Sequence, residues 1–465
     1  MRRTLTIIPA RFADACAGRA RCFSNRTRGR SGVARICAVA LLTSLLLAAC
    51  SPRVPLYQAV VESEMARNPQ ATYIDGQGGN IKWNYTTGLE LLSFLDVATA
   101  LEARGGKLAD TQGDTQNAYT QKGYKHIQQV AANQQDILHA TTAAAERILN
   151  YVDAWYDAAI DKDGNIYKYK QSNYSLDHIC PGRTLFALYD LTGKEKYRKA
   201  MDVLYAQLKS QPRTKEGGFW HKQIYPGQMW LDGLYMAEPF YAEYTRRYVS
   251  DPAECAANYA DIAQQFIIVA EHTYDSDTQL YRHAWDSSRQ MFWANSYSGK
   301  SAHAWGRALG WYMMALADVL PLLPENTPGR DRMLEIFRNL AEILPKYADP
   351  ETGMWYQVLD RPGDKGNYTE ATASAMFIYA MAKGSRYGYA DCRTYAREAY
   401  KKLQKTFITR EKGLVNLNRC CEVAGLGGKT FRSGDYDYYI NEKVRSNDPK
   451  GIGPLIWAAL EFETR

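Results

Sequence analysis

The sequence predicts an all-α domain in which six helical hairpins close into an (α/α)6 barrel. Two observations predict it. Six acidic or glycine-rich turns recur along the chain, each followed by a short alternating stretch containing aromatic residues. Between consecutive turns lie two helical patterns, one apolar on nearly every face and one amphipathic.

The turns are IDGQGGNIKWNY (74–85), DKDGNIYKY (161–169), TKEGGFWHK (214–222), DSDTQLYRHAW (275–285), DPETGMWYQV (349–358) and TREKGLVNL (409–417). The first helix after each turn is rich in apolar, glycine and aromatic residues, at 85–104, 177–193, 231–248, 302–322, 369–384 and 450–463. A helix apolar all round belongs inside, surrounded by others. Amphipathic partners at 141–157, 195–210, 258–272, 330–344 and 392–407 should cover it from outside. A sixth cover is missing at the end of the chain, and PLYQAVVESEMAR (55–67) can supply it and close the ring. An open α-solenoid is the alternative, and its ends would need polar caps. Residues 105–140 stand outside the pattern. They read as an inserted polar segment that either flanks the cleft or is a solvated elaboration.

The first 49 residues carry nine arginines, no lysine and one acid, Asp14, while the other 416 carry 48 basic and 49 acidic side chains. The net charge of +7 therefore belongs to the leader and gives no ground for a nucleic-acid partner. The apolar run ICAVALLTSLLLAA (36–49) is short for a membrane span and reads as a signal-peptide core. Leu47-Ala48-Ala49-Cys50 resembles a bacterial lipobox. The expectation is a lipoprotein-type signal peptide over 1–49 and a single catalytic domain over 50–465. A lipid on Cys50 would hold the protein to a membrane surface of the cell envelope, on the periplasmic face or the cell surface. Cleavage without lipid is the alternative.

Beyond Cys50, five cysteines remain, at 180, 255, 392, 420 and 421, odd in number and without CxxC spacing. Neither a disulfide framework nor zinc is indicated, and Cys420 and Cys421 read as packing residues. The histidines lack HExxH spacing, and no loop resembles a calcium site, so neither metal nor cofactor is expected. GLGGK (425–429) lacks the setting of a phosphate loop, and no GxSxG nucleophile elbow occurs. The chain has 34 Tyr and 10 Trp, and surplus rings suit stacking on sugars.

In a closed ring, the turns that lead into the inner helices gather at one end. Helix N-termini point there, and they favour anions. That end would collect Trp83 and Tyr85, Asp177 and His178, Trp220 and His221, Trp230 and Asp232, His283, His303, Trp305, Arg307 and Trp311, Trp355 and Tyr356, Glu370, and Asp448 with Lys450. Each has a structural alternative: Asp177 as a helix N-cap, Arg307 in an interhelical ion pair, Asp232 as a buried structural acid. Convergence of six turns favours a site. Asp232 is the sharpest case, because it interrupts the apolar QMWLDGLYMAEPF (228–240), where a charge is costly unless compensated. A carboxyl walled by rings loses solvation for its charge and tends to keep its proton. Paired acids such as Asp177 and Asp232 serve glycosidic chemistry.

Four stretches carry a family resemblance: EGGFWHKQIYPGQMWLDGLYMAEPFYAEY, HAWGRALGWYMMALADVLP, GMWYQVLDRPGDKGNYTEATASAMFIYAMAKG and NDPKGIGP. Over roughly 70–465 the chain resembles family 105 of the glycoside hydrolases, the unsaturated rhamnogalacturonyl hydrolases and relatives. The resemblance implies an (α/α)6 barrel and an unusual reaction. A polysaccharide lyase leaves a C4=C5 double bond in the terminal uronic acid; the hydrolase protonates C4 and directs water to C5. The hemiketal opens and expels the neighbouring sugar, so the retaining-or-inverting distinction does not apply. By motif position, Asp232 is the proton donor and then the base. Asp177 is the assisting acid. His221, Trp230, His283, Trp305, Arg307 and Trp311 match the pocket, and Tyr85 completes the substrate-binding set. Arg307 is the candidate for the uronate carboxylate, since its fork binds one bidentately.

Two other classes are open. A sugar epimerase on this fold would use two histidines, His221 with His283 or His303. A surface glycan-binding lipoprotein would need no buried acid, so Asp232 speaks against it. An endo-mannanase would want adjacent aspartates, and no Asp-Asp pair occurs.

Overall fold

Inner and outer helices alternate along the chain, as the two helical patterns require. The computed structural model describes the backbone of residues 54–115 and 124–464, and the side chains of that backbone except over 106–137. The leader, the lipobox and Cys50 lie outside the described residues.

The helices are α1 (Leu56–Arg67), α2 (Tyr85–Thr115), α3 (Tyr124–Ala159), α4 (Arg183–Thr192), α5 (Glu195–Lys209), α6 (Leu231–Tyr248), α7 (Pro252–Thr273), α8 (Gly306–Val319), α9 (Arg330–Ile343), α10 (Ala371–Arg386), α11 (Arg393–Phe407), the short α12 (Tyr436–Asn441) and α13 (Pro449–Glu463). The inner ring runs α2, α4, α6, α8, α10, α13, and α13 packs back against α2. Between α4 and α6 the contact is carried by Phe186 and Phe240, whose ring centroids are 5.3 Å apart. Each of α3, α5, α7, α9 and α11 covers the inner helix before it, and α1 covers α13. The N-terminal helix thus closes the ring, as its sequence suggested. The Leu56 amide donates to Glu463 at 2.7 Å, and the Val415 amide donates to the Ser63 hydroxyl at 2.9 Å.

All fourteen residues of α8 are buried, which a helix without a polar face can accept. Its start is tight: a Cβ on Gly306 would stand 2.7 Å from the carbonyl oxygen of Tyr356. By contrast, α11 buries one stripe, Ala396, Ala399, Tyr400, Leu403 and Phe407, at i, i+3, i+4, i+7 and i+11. Burying Leu403 and Phe407 contributes about 1.5–3 kcal/mol each.

Near the C-terminal end of α8, Asp318 accepts from Arg183 of α4 at 2.8 Å, and from Lys383 and Tyr379 of α10 at 2.7 Å each. Burial opposes the charge of Asp318, but Lys383 and Arg183 outweigh it and hold the carboxyl down to about 2.

Short antiparallel ladders shape the loops at the inner-helix N-termini. The strands are β1 (Gln228–Trp230), β2 (Tyr274–Asp275), β3 (Leu280–Tyr281), β4 (Ala284–Asp286), β5 (Ile408–Glu411), β6 (Leu414–Leu417), β7 (Cys420–Cys421) and β8 (Val444–Arg445). They pair β1 with β4, β2 with β3, β5 with β6 and β7 with β8.

Two expectations need correction. The helices flanking residues 105–140 are longer than expected: α2 runs on to Thr115 rather than 104, and α3 begins at Tyr124 rather than 141. The expected helix over 177–193 is instead two 3-10 turns, Leu176–His178 and Cys180–Gly182, followed by α4. Pro181 has no amide hydrogen to donate within a longer helix.

Candidate active site

The six inner helices present their first turns to one cluster. Tyr85 begins α2, Asp177 lies in the turn before α4, and Asp232 is the second residue of α6. Arg307 is the second residue of α8, while Glu370 and Asp448 are the N-caps of α10 and α13. Each cap carboxylate satisfies an otherwise unpaired amide: Glu370 accepts from Ala373 at 2.6 Å and Asp448 from Lys450 at 2.9 Å.

Asp232 meets His283. Nε2 of His283 is 3.2 Å from Oδ2 of Asp232, and Nδ1 of His283 is 2.7 Å from the Tyr439 hydroxyl. Backbone pairing delivers this contact: Trp230 is opposite Ala284 in the β1–β4 ladder, and the Leu231 amide donates to the His283 carbonyl at 3.0 Å. Indoles wall the pair. The ring of Trp305 lies 4.8 Å from the His283 ring, and Trp230 meets it edge-on at 5.3 Å.

Asp177 has a different environment. One oxygen accepts from Lys222, and the other is 3.5 Å from Nε2 of His221. Burial raises the cost of its charge, but Lys222, His221 and His178 outweigh that and hold the carboxyl below its ordinary value. Asp177 therefore does not cap α4. Burial pushes the His221 imidazole down to about 4, against the pull of Asp177. The His221 ring stacks on Trp230 at 4.6 Å, so a continuous ring path joins the two acids. His221 has room because a Cβ on Gly233 would stand 3.2 Å from its Nδ1.

Tyr85 and Asp177 line a cavity of about 410 Å³ with Lys222, Glu422, Arg445 and Lys450. Asp232 is not on that lining but lies close enough, with Asp177, to raise the Tyr85 hydroxyl beyond what burial does. Trp311 supports Tyr85 edge-on at 6.2 Å. Arg307 stands in the wall, 1% exposed, 5.1 Å over the Trp305 ring, and donates to the Cys421 carbonyl. Burial works against its charge, but Cys421, Glu370, Asp448 and Tyr85 outweigh it. Its Nε is buried without a hydrogen-bond partner. A larger cavity, about 790 Å³, lies beside the middle of α2 and the C-terminal ends of α10 and α13 and is lined by none of these residues. Size does not locate the chemistry here.

All nine expected catalytic and substrate-binding residues thus fall in one connected cluster. His303 does not join it; its ring pairs with Asp360 at 2.9 Å. Trp355 is a core residue, donating to the Leu344 carbonyl at 2.8 Å. Sequence reasoning missed Lys222, whose signal was a cation beside His221. It also missed Tyr439, which lies in a short capped helix outside the six-turn repeat. Cys421 does more than pack: its amide donates to Glu370 at 2.9 Å while its carbonyl receives Arg307. The five cysteines are free thiols. Among the described residues, no group of three or more His, Cys, Asp or Glu is placed to hold a metal ion, and no helix is long and apolar enough to cross a membrane.

Comparison with known proteins places this cluster in context. The sequence profile of Glycosyl Hydrolase Family 88 matches residues 136–465. A solved family 105 glycoside hydrolase from C. acetobutylicum ATCC 824 is 39% identical, with 89% of this chain and 100% of that chain covered at a TM-score of 0.72. The chain belongs to glycoside hydrolase family 105. As a family 105 glycoside hydrolase it acts on an oligosaccharide, and its six-hairpin barrel is the fold its turns predicted. Protein Atu3128 from Agrobacterium fabrum is 40% identical over 43% of this chain and 89% of its own length. Unsaturated rhamnogalacturonyl hydrolase YesR from Bacillus subtilis is 29% identical over 52% of this chain and 66% of its own.

Proposed function

We propose that this family 105 hydrolase removes a 4,5-unsaturated uronic acid from the non-reducing end of oligosaccharides released by a polysaccharide lyase. The observation that carries the reading is the unequal partnering of the two carboxylates. Asp177 is paired with Lys222 and held ionised, so it has no proton to give. Asp232 has no Lys or Arg partner among the described residues; its ion-pair partner is His283. Hydrolysis at an anomeric carbon by two acids needs a donor on one side and a free base or nucleophile on the other, and Asp177, tied to Lys222 beside His221, is already engaged. A single movable proton suits a vinyl ether. Asp232 protonates C4, and the carboxylate so formed takes a proton from the water that adds to C5. The hemiketal then opens and releases the neighbouring sugar.

In this reading Asp177 orients a sugar hydroxyl or the water. His221, Trp230, His283 and Trp305 wall the ring, Tyr85 offers a hydroxyl on Trp311, and Arg307 supplies charge for the uronate carboxylate. The default substrate is an unsaturated rhamnogalacturonan disaccharide, in keeping with the named activity of the B. subtilis relative. An epimerase would need two imidazoles flanking one sugar, but the Trp230 ring lies between His221 and His283.

The test is to offer unsaturated disaccharides made by rhamnogalacturonan, pectin and glycosaminoglycan lyases and follow the ultraviolet absorbance of the double bond. Loss of absorbance supports hydration, and the fastest substrate names the specificity. Folded protein that leaves every one of them unchanged sinks the reading. The leader remains a proposal of the same kind: cleavage before Cys50 and a lipid on its thiol would anchor the enzyme to the cell envelope, at the periplasmic face or cell surface.

A further inference from the structure

Tyr439 comes from α12, in the loop between β7 and β8, 156 residues from His283 in sequence. It is fully buried. Its carbonyl accepts from Gln357 at 3.1 Å, and its ring stacks on Trp305 at 5.9 Å. Gln357 in turn accepts from the Trp305 indole at 3.2 Å. This framework aims the Tyr439 hydroxyl at Nδ1 of His283, 2.7 Å away.

An uncharged imidazole carries one proton, and whichever nitrogen accepts a hydrogen bond leaves the other as donor. We propose that Tyr439 is a positioning residue for the reaction: its hydroxyl donates to Nδ1 of His283, fixing the proton on Nε2, which then donates to Oδ2 of Asp232. Oδ2 is occupied in this way whether Asp232 is protonated or not. The proton that moves to substrate and returns from water is confined to Oδ1. Burial, with the charges of Asp232 and Asp360 nearby, raises the Tyr439 hydroxyl well above its usual range, so it keeps the proton it donates. Nε2 and Oδ2 touch at 3.2 Å without the alignment of a full hydrogen bond, and neither has another protein partner. Such contacts tighten in the substrate complex.

The inference rests on the assignment of Asp232 as the acid, and it can fail independently of the substrate. The first measurement needs no substrate: the imidazole ¹⁵N shifts of His283 in protein labelled at histidine, with the signal assigned by its loss in His283→Asn. The neutral Nε2–H form is expected in the wild type, with loss of that single tautomer in Tyr439→Phe, which keeps the ring and its stacking. The Nδ1–H form in the wild type, or no change in Tyr439→Phe, overturns the proposal. The second measurement is kinetic, on whichever glycoside the wild type consumes. Tyr439→Phe should lower kcat about tenfold or more with KM little changed, part of the roughly 10²–10⁴ a positioned acid–base group contributes. In a His283→Asn background the same change should cost nothing further. Additive losses, or a rise in KM alone, overturn it. Tyr438→Phe is the control, since that hydroxyl accepts from the Gly425 amide at 3.0 Å and should leave the rate unchanged. A wild type inert toward all unsaturated substrates would sink the proposed activity but leave the ¹⁵N result standing.

Discussion

Oδ2 of Asp232 lies 3.2 Å from Nε2 of His283, held there because the main chain of His283 accepts the amide of Leu231, the residue before the aspartate. The acid and its imidazole partner are thus brought together by the β1–β4 ladder and the backbone hydrogen bond that continues it to the start of α6. Movement of the 275–285 turn would move both groups together.

Asp232→Asn keeps shape and removes the ionisable proton. Its kcat should fall by roughly 10²–10⁴ or more, while the affinity for substrate measured by calorimetry stays close to wild type. A normal rate would remove Asp232 from the mechanism.

Lys222→Met strips Asp177 of its closest cation. Asp177 is held below its ordinary value, so its charge is present above that ordinary value and is lost only as pH falls through the lowered one. Without Lys222 the carboxyl takes up its proton at higher pH. The acid limb of the kcat/KM profile should move upward in pH in the variant, with the alkaline limb unmoved. An unshifted acid limb would mean that the charge of Asp177 does not matter to turnover.

Asp318→Ala leaves Arg183 and Lys383 as buried charges without their carboxylate. The variant should lose about 3–5 kcal/mol in urea unfolding, since an uncompensated buried charge costs more than the pair contributes. The wild type should show the matching pH signature. Stability from Asp318 is complete above the unfolded value near 3.9 and disappears as pH falls toward about 2.

Cys50→Ala should move the protein from the membrane fraction to the soluble fraction and abolish incorporation of labelled fatty acid, with hydrolysis in detergent extracts unaffected. Unchanged fractionation would dismiss the lipid anchor.

Much of the site was legible because the repeat is local. A turn followed by a helix apolar all round marks an inner N-terminus, so the sequence alone puts Tyr85, Asp232, Arg307, Glu370 and Asp448 at one end. Asp177 was placed with them, but its helix was misread because Pro181 breaks the hydrogen-bond series that periodicity assumes. The helix bounds at 104 and 141 were set too tight because the polar residues beyond them carry no apolar period, although the described backbone is helical to Thr115 and again from Tyr124.

The sequence by itself determined the six hairpins, the closing role of 55–67 and the acid in an apolar helix start, because each is written within a few consecutive turns of chain. Only the tertiary structure decided which partner each acid has. Lys222 reaches Asp177 across 45 residues and Tyr439 reaches His283 across 156. Pairing at such separation follows from ring closure, which brings loops together without leaving any periodic trace. That pairing makes one carboxylate a fixed charge and leaves the other beside an imidazole.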